Sequence, residues 1–212
     1  MKDFPVFTTE NGVAGLVLRE IPIRGDAYIT IRSSQTPEKL LEECVSFCRA
    51  CGAERIYGKG EALDGRYPLH TVIYEMRGEA TVDPGLLESL FPVTEQTVGR
   101  WREIYNGAMK NVDNAGTLTY LEEERILKSG GAYFIHSRGE LLGIGWMEEE
   151  KLLAIASVRR GAGRRIMNTL LSLVEGASVT LEVASTNLPA IRLYEKMGFL
   201  RTQELGRWYR VG

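Results

Sequence analysis

The chain has 212 residues, which is enough for one large domain or two small ones with a sizeable core. Apolar residues make up 44% and charged residues 25%, as in ordinary globular proteins, and a net charge of −2 argues against bulk binding to nucleic acid or to an anionic membrane. No apolar run approaches the ~18–20 residues that span a bilayer, and the N-terminal segment lacks the apolar core of a signal peptide. We therefore expect a cytoplasmic protein with no membrane partner.

The first part of the chain, residues 1–88, is predicted to be a small α/β domain. Residues 13–21 and 26–32 have the composition of two strands that are separated by a turn containing Pro22. A helix is predicted to begin after Thr36, with Thr36 as its capping residue, and to end at Gly52. Strands are expected at 55–59 and 69–76, joined by a loop that is rich in turn-forming residues.

Three cysteines lie in the predicted helix. The spacing of Cys44, Cys48 and Cys51 is the one that binds an iron–sulfur cluster in radical SAM enzymes. It also places all three on one helical face, where an unpaired cysteine acts as a small buried hydrophobic residue. We favour core packing and expect no metal. His70 and His136 stand alone, without the spacing of metal ligands.

Turn-forming residues around Asp83–Gly85 and Phe91–Pro92 favour a domain boundary near residue 89. After this boundary, residues 89–212 show the periodicities of two helices, three strands, a helix, a strand, a helix and two strands. The third of the consecutive strands, at 152–158, is apolar on both faces, which is typical of a central strand. The helix that follows it is predicted to run from Gly163 to Glu175.

A strand followed directly by a short helix is predicted at residues 178–199. Val179, Leu181 and Val183 alternate with polar or small residues, as in a strand. Asn187 is a good helix N-cap, and Gly198 can adopt the left-handed conformation that ends a helix. This segment therefore brings a carboxylate (Glu182), an amide (Asn187) and a phenol (Tyr194) close together in the sequence.

The segment VRRGAGRRI, residues 158–166, joins a buried strand to a helix. Gly161 and Gly163 allow a close approach of the backbone, and the first N–H groups of the helix have no intrahelical partner. A helix N-terminus of this kind binds phosphates, and the nearby arginines add positive charge. Considered alone, the segment could equally be a tight turn with solvated arginines.

The run Asn187-x-x-Ala190-x-x-Leu193-Tyr194-Glu195-Lys196-x-Gly198-Phe199 resembles the last conserved motif of the GNAT acyltransferase family. It is most similar to the branch that acetylates the N-termini of ribosomal proteins, and the resemblance covers roughly residues 90–212. The family pattern Gln/Arg-x-x-Gly-x-Gly/Ala, which binds the diphosphate of coenzyme A, is matched at Gly161 and Gly163 but not at Val158. The resemblance implies an α/β (α+β) fold, with a mixed central sheet flanked by helices. Residues 1–88 would precede it as a smaller half, which is similar to a reduced repeat of the same architecture.

The resemblance also implies roles for individual residues. Glu182 would be the general base, and Tyr194 would be the acid that protonates the leaving thiolate. Alternatives remain for each: a solvent-facing or ion-paired carboxylate, a packed aromatic ring and, for Asn187, a simple helix cap. Glu148, Glu149 and Glu150 are reserve candidates for the base. The backbone N–H groups of the strand at Ile155–Val158 would pair with the pantetheine arm and polarise the acetyl carbonyl. The residues predicted to bind coenzyme A are Ile155, Ala156, Val158, Arg159, Arg160, Gly161, Ala162, Gly163, Arg164, Asn187 and Tyr194.

The function expected from these features is acetyl transfer from acetyl-CoA to an amine, by direct attack of the amine on the thioester. The sequence does not identify the acceptor, which could be a protein N-terminus or a small polyamine or antibiotic-like amine. A module that binds acyl-CoA without turnover is the alternative from another class. Two roles remain open for the first half of the chain: it lines the acceptor groove, or it forms a homodimer contact.

Overall fold

The computed structural model describes residues 5–212, which fold into two compact units. The first contains the described residues up to Ile73 together with Glu204–Gly212, and the second contains Tyr74–Gln203. The division therefore lies elsewhere in the chain than the predicted boundary near residue 89. Among the described residues, no helix is both long and apolar enough to cross a membrane.

In the first unit, a sheet packs against one long helix. The strand order is β1-β2-β3-β4-β11, and β3 and β4 are parallel, whereas β1, β2 and β3 pair in antiparallel fashion. A short helix, α1, forms around Pro22, where only a turn was predicted. The elements are β1 (Val6–Thr9), β2 (Gly12–Val17), α1 (Ile21–Arg24), β3 (Asp26–Ser33), α2 (Pro37–Ala50) and β4 (Arg55–Lys59), with the first residues of β5 (Leu69–Glu79) and the last of β11 (Leu200–Arg210).

Helix α2 buries Leu40, Leu41, Cys44 and Cys48 against this sheet. Burial raises the pKa of the Cys44 thiol to about 11 and that of Cys48 to about 12, so both are protonated at neutral pH. Cys51 is exposed at the end of the helix, so the three thiols do not share one environment. No group of three or more His, Cys, Asp or Glu residues within 5–212 could hold a metal ion.

The second unit contains a mixed sheet with helices on both faces. Its strand order is β11-β5-β10-β9-β8-β7-β6, in which β9 and β10 are parallel and β6 to β9 are antiparallel. This confirms the predicted fold class. The elements are β6 (Ser89–Pro92), α3 (Val98–Met109), α4 (Glu123–Ser129), β7 (Ala132–Ser137), β8 (Glu140–Glu148), β9 (Lys151–Ser157), α5 (Gly163–Leu171), β10 (Ser178–Ala184) and α6 (Leu188–Lys196), with parts of β5 and β11.

Three elements differ from the sequence prediction. Strand β6 forms where only a chain break was expected, helix α5 ends at Leu171 instead of Glu175, and β11 is one strand where two were predicted. Residues 204–210 of β11 belong to the first unit, where Tyr209 pairs with Gly58 of β4. The predicted break in this strand fell at Gly206, but the strand continues through this residue because extended backbone is accessible to glycine.

Helix α5 lies unusually close to strand β8, because glycines face it. A Cβ atom added at Gly143 would lie 2.1 Å from the carbonyl oxygen of Ala156 and 2.6 Å from Cδ1 of Ile166. A Cβ atom at Gly145 would lie 2.3 Å from Cδ1 of Leu170. Because Gly143 and Gly145 have no side chains, Ile166 and Leu170 pack directly against the backbone of β8. This contact fixes the position of α5 on the sheet.

Residues 83–88 are attached to α5 by polar side chains in its buried half. Oδ1 of Asn168 accepts a hydrogen bond from the N–H of Asp83 at 2.8 Å, and Nδ2 donates to the Asp83 carbonyl at 3.0 Å. Oγ1 of Thr169 accepts from the N–H of Glu88 at 3.1 Å. Because both side chains are buried, these bonds compensate for their lost hydration. This is the physical reason that residues 83–88 fold with the second unit.

The close fit between α5 and β8 predicts that Gly143→Ala destabilises the protein by roughly 1–3 kcal/mol, because the new methyl group meets backbone on one side and Ile166 on the other. Gly107, in α3, has no atom within 4 Å of its potential Cβ, so Gly107→Ala should stabilise by about 0.5–1 kcal/mol. Urea denaturation of both variants measures these changes. Equal effects of the two substitutions would contradict the proposed fit.

Candidate active site

Strands β9 and β10 pair over only two positions before they separate. Thr180 pairs with Lys151 and Leu181 with Leu152, and the pairing stops there. Beyond it, β9 continues to Ser157 and β10 continues to Ala184. The result is an opening in the sheet between the C-terminal halves of two parallel strands, where backbone groups lack their usual ladder partners.

The direction of the backbone groups along β9 follows from its pairing with β8. The N–H of Val158 donates to the Leu142 carbonyl at 2.9 Å, and Ile144 pairs with Ala156. In an antiparallel ladder, alternate residues direct their N–H and C=O groups to opposite edges of the strand. The backbone groups of Ala156 and Val158 are therefore used by β8, whereas those of Ile155 face the opening. Ser157, which lies in the strand segment predicted to pair with the pantetheine arm, faces it as well.

A β-bulge lies where the opening begins. Met147 pairs with Leu152 and Trp146 with Ala154, so Leu153 is the additional residue on β9. A bulge leaves one residue outside the regular ladder and redirects the neighbouring backbone groups. No local sequence signal identifies this bulge, because it depends on the register between two strands.

The loop after β9 leads into the exposed N-terminus of α5. Gly161 has φ 82°, a left-handed conformation that favours glycine, and the space around its potential Cβ is open. The first intrahelical bond runs from the N–H of Ile166 to the Ala162 carbonyl at 3.0 Å, so the N–H groups of Gly163 and Arg164 precede it. Gly163 has a packing role too, because its potential Cβ would lie 3.1 Å from Cδ2 of Leu193 in α6.

The four arginines of this region have different environments. Arg159 is ion-paired with Glu140 at 3.1 Å, and both side chains are exposed. Arg165 pairs with Glu88, and its Nη2 also donates to Oγ of Ser137 at 2.7 Å. Arg160 and Arg164 are exposed, and neither forms an ion pair or side-chain hydrogen bond with the described residues. These two guanidinium groups are therefore the ones available to an anion at the helix N-terminus.

Helix α6 begins as the sequence predicts. Oδ1 of Asn187 accepts from the N–H of Ala190 at 3.4 Å, so this side chain acts as the N-cap. At the other end, Gly198 has φ 85° and the N–H of Phe199 donates to the Tyr194 carbonyl at 3.0 Å. The capping role does not exclude a ligand, because the Asn187 side chain is only partly buried and its amide N–H₂ remains a donor.

Tyr194 is buried in the core of the second unit. Its ring lies 6.1 Å from that of Phe199 in a tilted arrangement, within a cluster that includes Ile166 and Val183. Burial raises the pKa of the Tyr194 phenol well above its ordinary value, so the hydroxyl keeps its proton at neutral pH and can donate it. Tyr194 directly follows Leu193, the residue of α6 that contacts the start of α5 at Gly163.

Glu182 is not buried, and it forms an ion pair, which was one of the alternatives for this carboxylate. Its side chain is 47% exposed, and Oε1 lies 2.6 Å from Nζ of Lys151. Val179, Leu181 and Val183 face the cluster that contains Tyr194, so alternation places Glu182 on the opposite face of the sheet. Among the reserve candidates, Glu148 pairs with Arg125 at 3.7 Å, and Glu149 occupies a tight turn with φ 51°.

The structure thus brings together Ile155, the glycine loop, the start of α5 and the helix that carries Tyr194. Sequence reasoning had grouped Glu182 with them, but an ion pair and the opposite sheet face separate it from Tyr194. The role of each residue toward a ligand stays a prediction. The sequence analysis missed the bulge at Leu153 and the identity of Lys151 as the partner of Glu182.

Comparison with known proteins agrees with this geometry. The family described as "Acetyltransferase (GNAT) family" matches residues 92–199. The chain is 44% identical over 52 residues to the N-alpha-acetyltransferase RimI of Mycobacterium tuberculosis (strain ATCC 25618 / H37Rv), a match that spans 24% of this chain and 33% of that relative. The matched part is thus only about a third of the length of this curated relative.

Several solved structures share the fold at low sequence identity. A GCN5-related N-acetyltransferase from Anabaena variabilis ATCC 29413 has a TM-score of 0.60 at 11% identity, covering 93% of this chain and 58% of that chain. A tandem GNAT protein from the clavulanic acid biosynthesis pathway has a TM-score of 0.55 at 14% identity, covering 95% of this chain and 79% of that chain. Because the family match extends over residues 92–199, half of the sequence, the chain belongs to the GNAT acetyltransferase family.

Proposed function

We propose that this protein transfers the acetyl group of acetyl-CoA to a primary amine. The observation that carries the proposal is the early separation of β9 and β10, next to a helix that begins where β9 ends. An extended amide-containing arm could pair with the backbone of Ile155 and Ser157 in the opening, as an additional strand does in a sheet. The N–H groups at the start of α5 and the guanidinium groups of Arg160 and Arg164 would hold the diphosphate.

In the proposed mechanism, the reacting groups lie on the two faces of the sheet beside the opening. The thioester carbonyl would lie near the bulge at Leu153, where a backbone N–H could stabilise the developing oxyanion. The amine nitrogen attacks that carbonyl carbon and forms the amide, and the carbon–sulfur bond breaks. Glu182, on one face, takes the proton lost by the amine, and the phenol of Tyr194, on the other face, protonates the leaving thiolate.

We propose the acceptor only by its chemical class, an amine. The similarity to RimI, whose name describes an N-alpha-acetyltransferase, favours the α-amine of a peptide as the first candidate. An α-amine, with an ordinary pKa of about 7.7–8.0, is also easier to deprotonate than a lysine-like amine of about 10.4. Thiol release measured with peptides, polyamines and aminoglycoside-like amines tests this order. Saturable binding of acetyl-CoA without release for any amine would favour an acyl-CoA sensor instead.

The unpaired state of Arg164 predicts a large role in binding the diphosphate. Arg164→Ala should weaken the affinity for coenzyme A roughly tenfold, since a charge-assisted hydrogen bond is lost. Arg159→Ala is the matched control and should change it less than about threefold, because Glu140 already neutralises Arg159. Calorimetric titration measures both, at low and high salt. An equal loss in the two variants would exclude this division among the arginines.

The buried phenol predicts a kinetic effect for Tyr194→Phe. We expect kcat to fall roughly 100-fold with little change in the KM for acetyl-CoA, since the hydroxyl acts only in the transition state. Because burial raises the pKa of Tyr194, the phenol stays protonated from about pH 6 to 9, and its removal should not alter the shape of the pH–rate profile in that range. Tyr133→Phe, which also removes one hydroxyl from the second unit, is the control. An unchanged kcat in Tyr194→Phe would show that another group protonates the thiolate.

The Lys151–Glu182 pair allows a direct test of the base. If Glu182 accepts the proton, Glu182→Gln should lower kcat about 100-fold at neutral pH. Lys151→Met leaves the carboxylate in place and should keep kcat within a few-fold of the original. Both side chains are nearly half exposed, so each change should cost less than about 1 kcal/mol of stability. Should both variants keep full activity, the base is another group, and Glu148–Glu150 are the next residues to replace.

A further inference from the structure

The first unit repeats the chain path of the second. In the second unit, three antiparallel strands (β7, β8, β9) lead through a helix (α5) to a strand (β10) that is parallel to the third. In the first unit, β1, β2 and β3 lead through α2 to β4, which is parallel to β3. Each unit therefore has one place where a cofactor of this kind could enter, between the parallel strands and beside the start of the helix.

We infer that the first unit is a copy of the transferase architecture whose coenzyme A site is closed, so that one chain binds a single acyl-CoA. This inference rests on the proposed function of the second unit. The first observation is the strand register: β4 pairs with β3 over its full length, Arg55–Lys59 against Asp26–Thr30, and β3 extends past it by three residues. These five pairs contrast with the two pairs that join β9 and β10, so more of the backbone between the parallel strands is already used within the sheet.

The second observation is at the start of α2, where one helix N–H donor is missing and a carboxylate lies in the first turn. Pro37 occupies the first helical position and has no N–H to donate. The carboxylate of Glu38 lies in the first turn and is ion-paired with Arg66. The start of α2 thus has one N–H donor fewer and an ion-paired carboxylate, whereas the start of α5 offers two glycines and the arginines Arg160 and Arg164, which have no ion pair with the described residues.

The segment before α2 is held by its own side chains in place of a ligand. The sequence predicted Thr36 as the helix cap, but its side chain does not cap the helix. Instead, Oγ1 of Thr36 donates to Oδ1 of Asn11 at 2.9 Å. Nδ2 of Asn11 donates to Glu43 at 2.8 Å, and the N–H of Thr36 donates to Oγ of Ser34 at 3.0 Å. This network joins the β1–β2 turn, the loop and Glu43 of the helix.

The third observation concerns the chemistry after the parallel strand. In the second unit, β10 is followed by α6, which carries Tyr194. In the first unit, β4 is followed by the single helical turn Glu61–Leu63. Among the described residues, the first unit thus has no phenol-bearing helix at this point of its chain path, so it differs from the second unit in the acid position as well as in the cofactor positions.

Native mass spectrometry of the full chain with coenzyme A tests the inference. We expect one bound coenzyme A per chain at saturation, and none at the same concentration for the double variant Arg160→Glu, Arg164→Glu. Hydrogen exchange should show protection by coenzyme A within residues 153–165 and no change within 26–50.

Two coenzyme A molecules per chain, or one retained by the double variant together with protection within residues 26–50, would overturn the inference and leave the proposed function standing. If the unmodified chain bound none, the proposed function itself would fall, and with it the assignment of a site to the second unit. A circular dichroism spectrum of the double variant that matches the original chain shows that loss of binding is not loss of folding.

Discussion

The contact between α5 and β8 is the constraint on which the candidate site depends. A helix N-terminus can hold a diphosphate only if its N–H groups lie at the right height above the strand that binds the rest of the ligand. Gly143 and Gly145 remove the side chains that would lift the helix, so Ile166 and Leu170 rest on the strand itself. Because interiors are close-packed and transmit small displacements, a methyl group on the strand would also move the start of the helix.

Hydrogen bonds to residues 83–88 are a second constraint on the position of the same helix. Asn168 and Thr169 are polar residues in the buried half of α5, and their hydrogen bonds go to residues 83–88. Arg165 adds an ion pair to Glu88. Helix α5 is thus fixed by apolar contact with the sheet and by polar contact with residues 83–88. Arg165 is thereby used by the fold, whereas Arg160 and Arg164 form no ion pair with the described residues.

The parts of the structure that the sequence predicted well are those with local causes. Helix α6 begins at an N-cap and ends at a left-handed glycine, and both signals lie within its own segment. The features that sequence reasoning missed depend on distant residues. The separation of β9 from β10 and the bulge at Leu153 are properties of strand register, which no single segment encodes. The pairing of Glu182 with Lys151 joins residues that are 31 positions apart, so the sequence offered an ion pair among the alternatives for this carboxylate but could not identify its partner.

The departure from the family pattern at Val158 now has a structural consequence. Its side chain is 46% exposed and cannot donate a hydrogen bond, and its N–H is already used by the Leu142 carbonyl. In the proposed site, a polar residue at this position would share the diphosphate with the helix. Without it, more of the binding free energy would have to come from the charges of Arg160 and Arg164, which are exposed and therefore screened by salt. Binding of coenzyme A to this chain should accordingly depend on ionic strength more steeply than binding to a relative with Gln at that position, because hydrogen bonds from a neutral amide are less sensitive to screening.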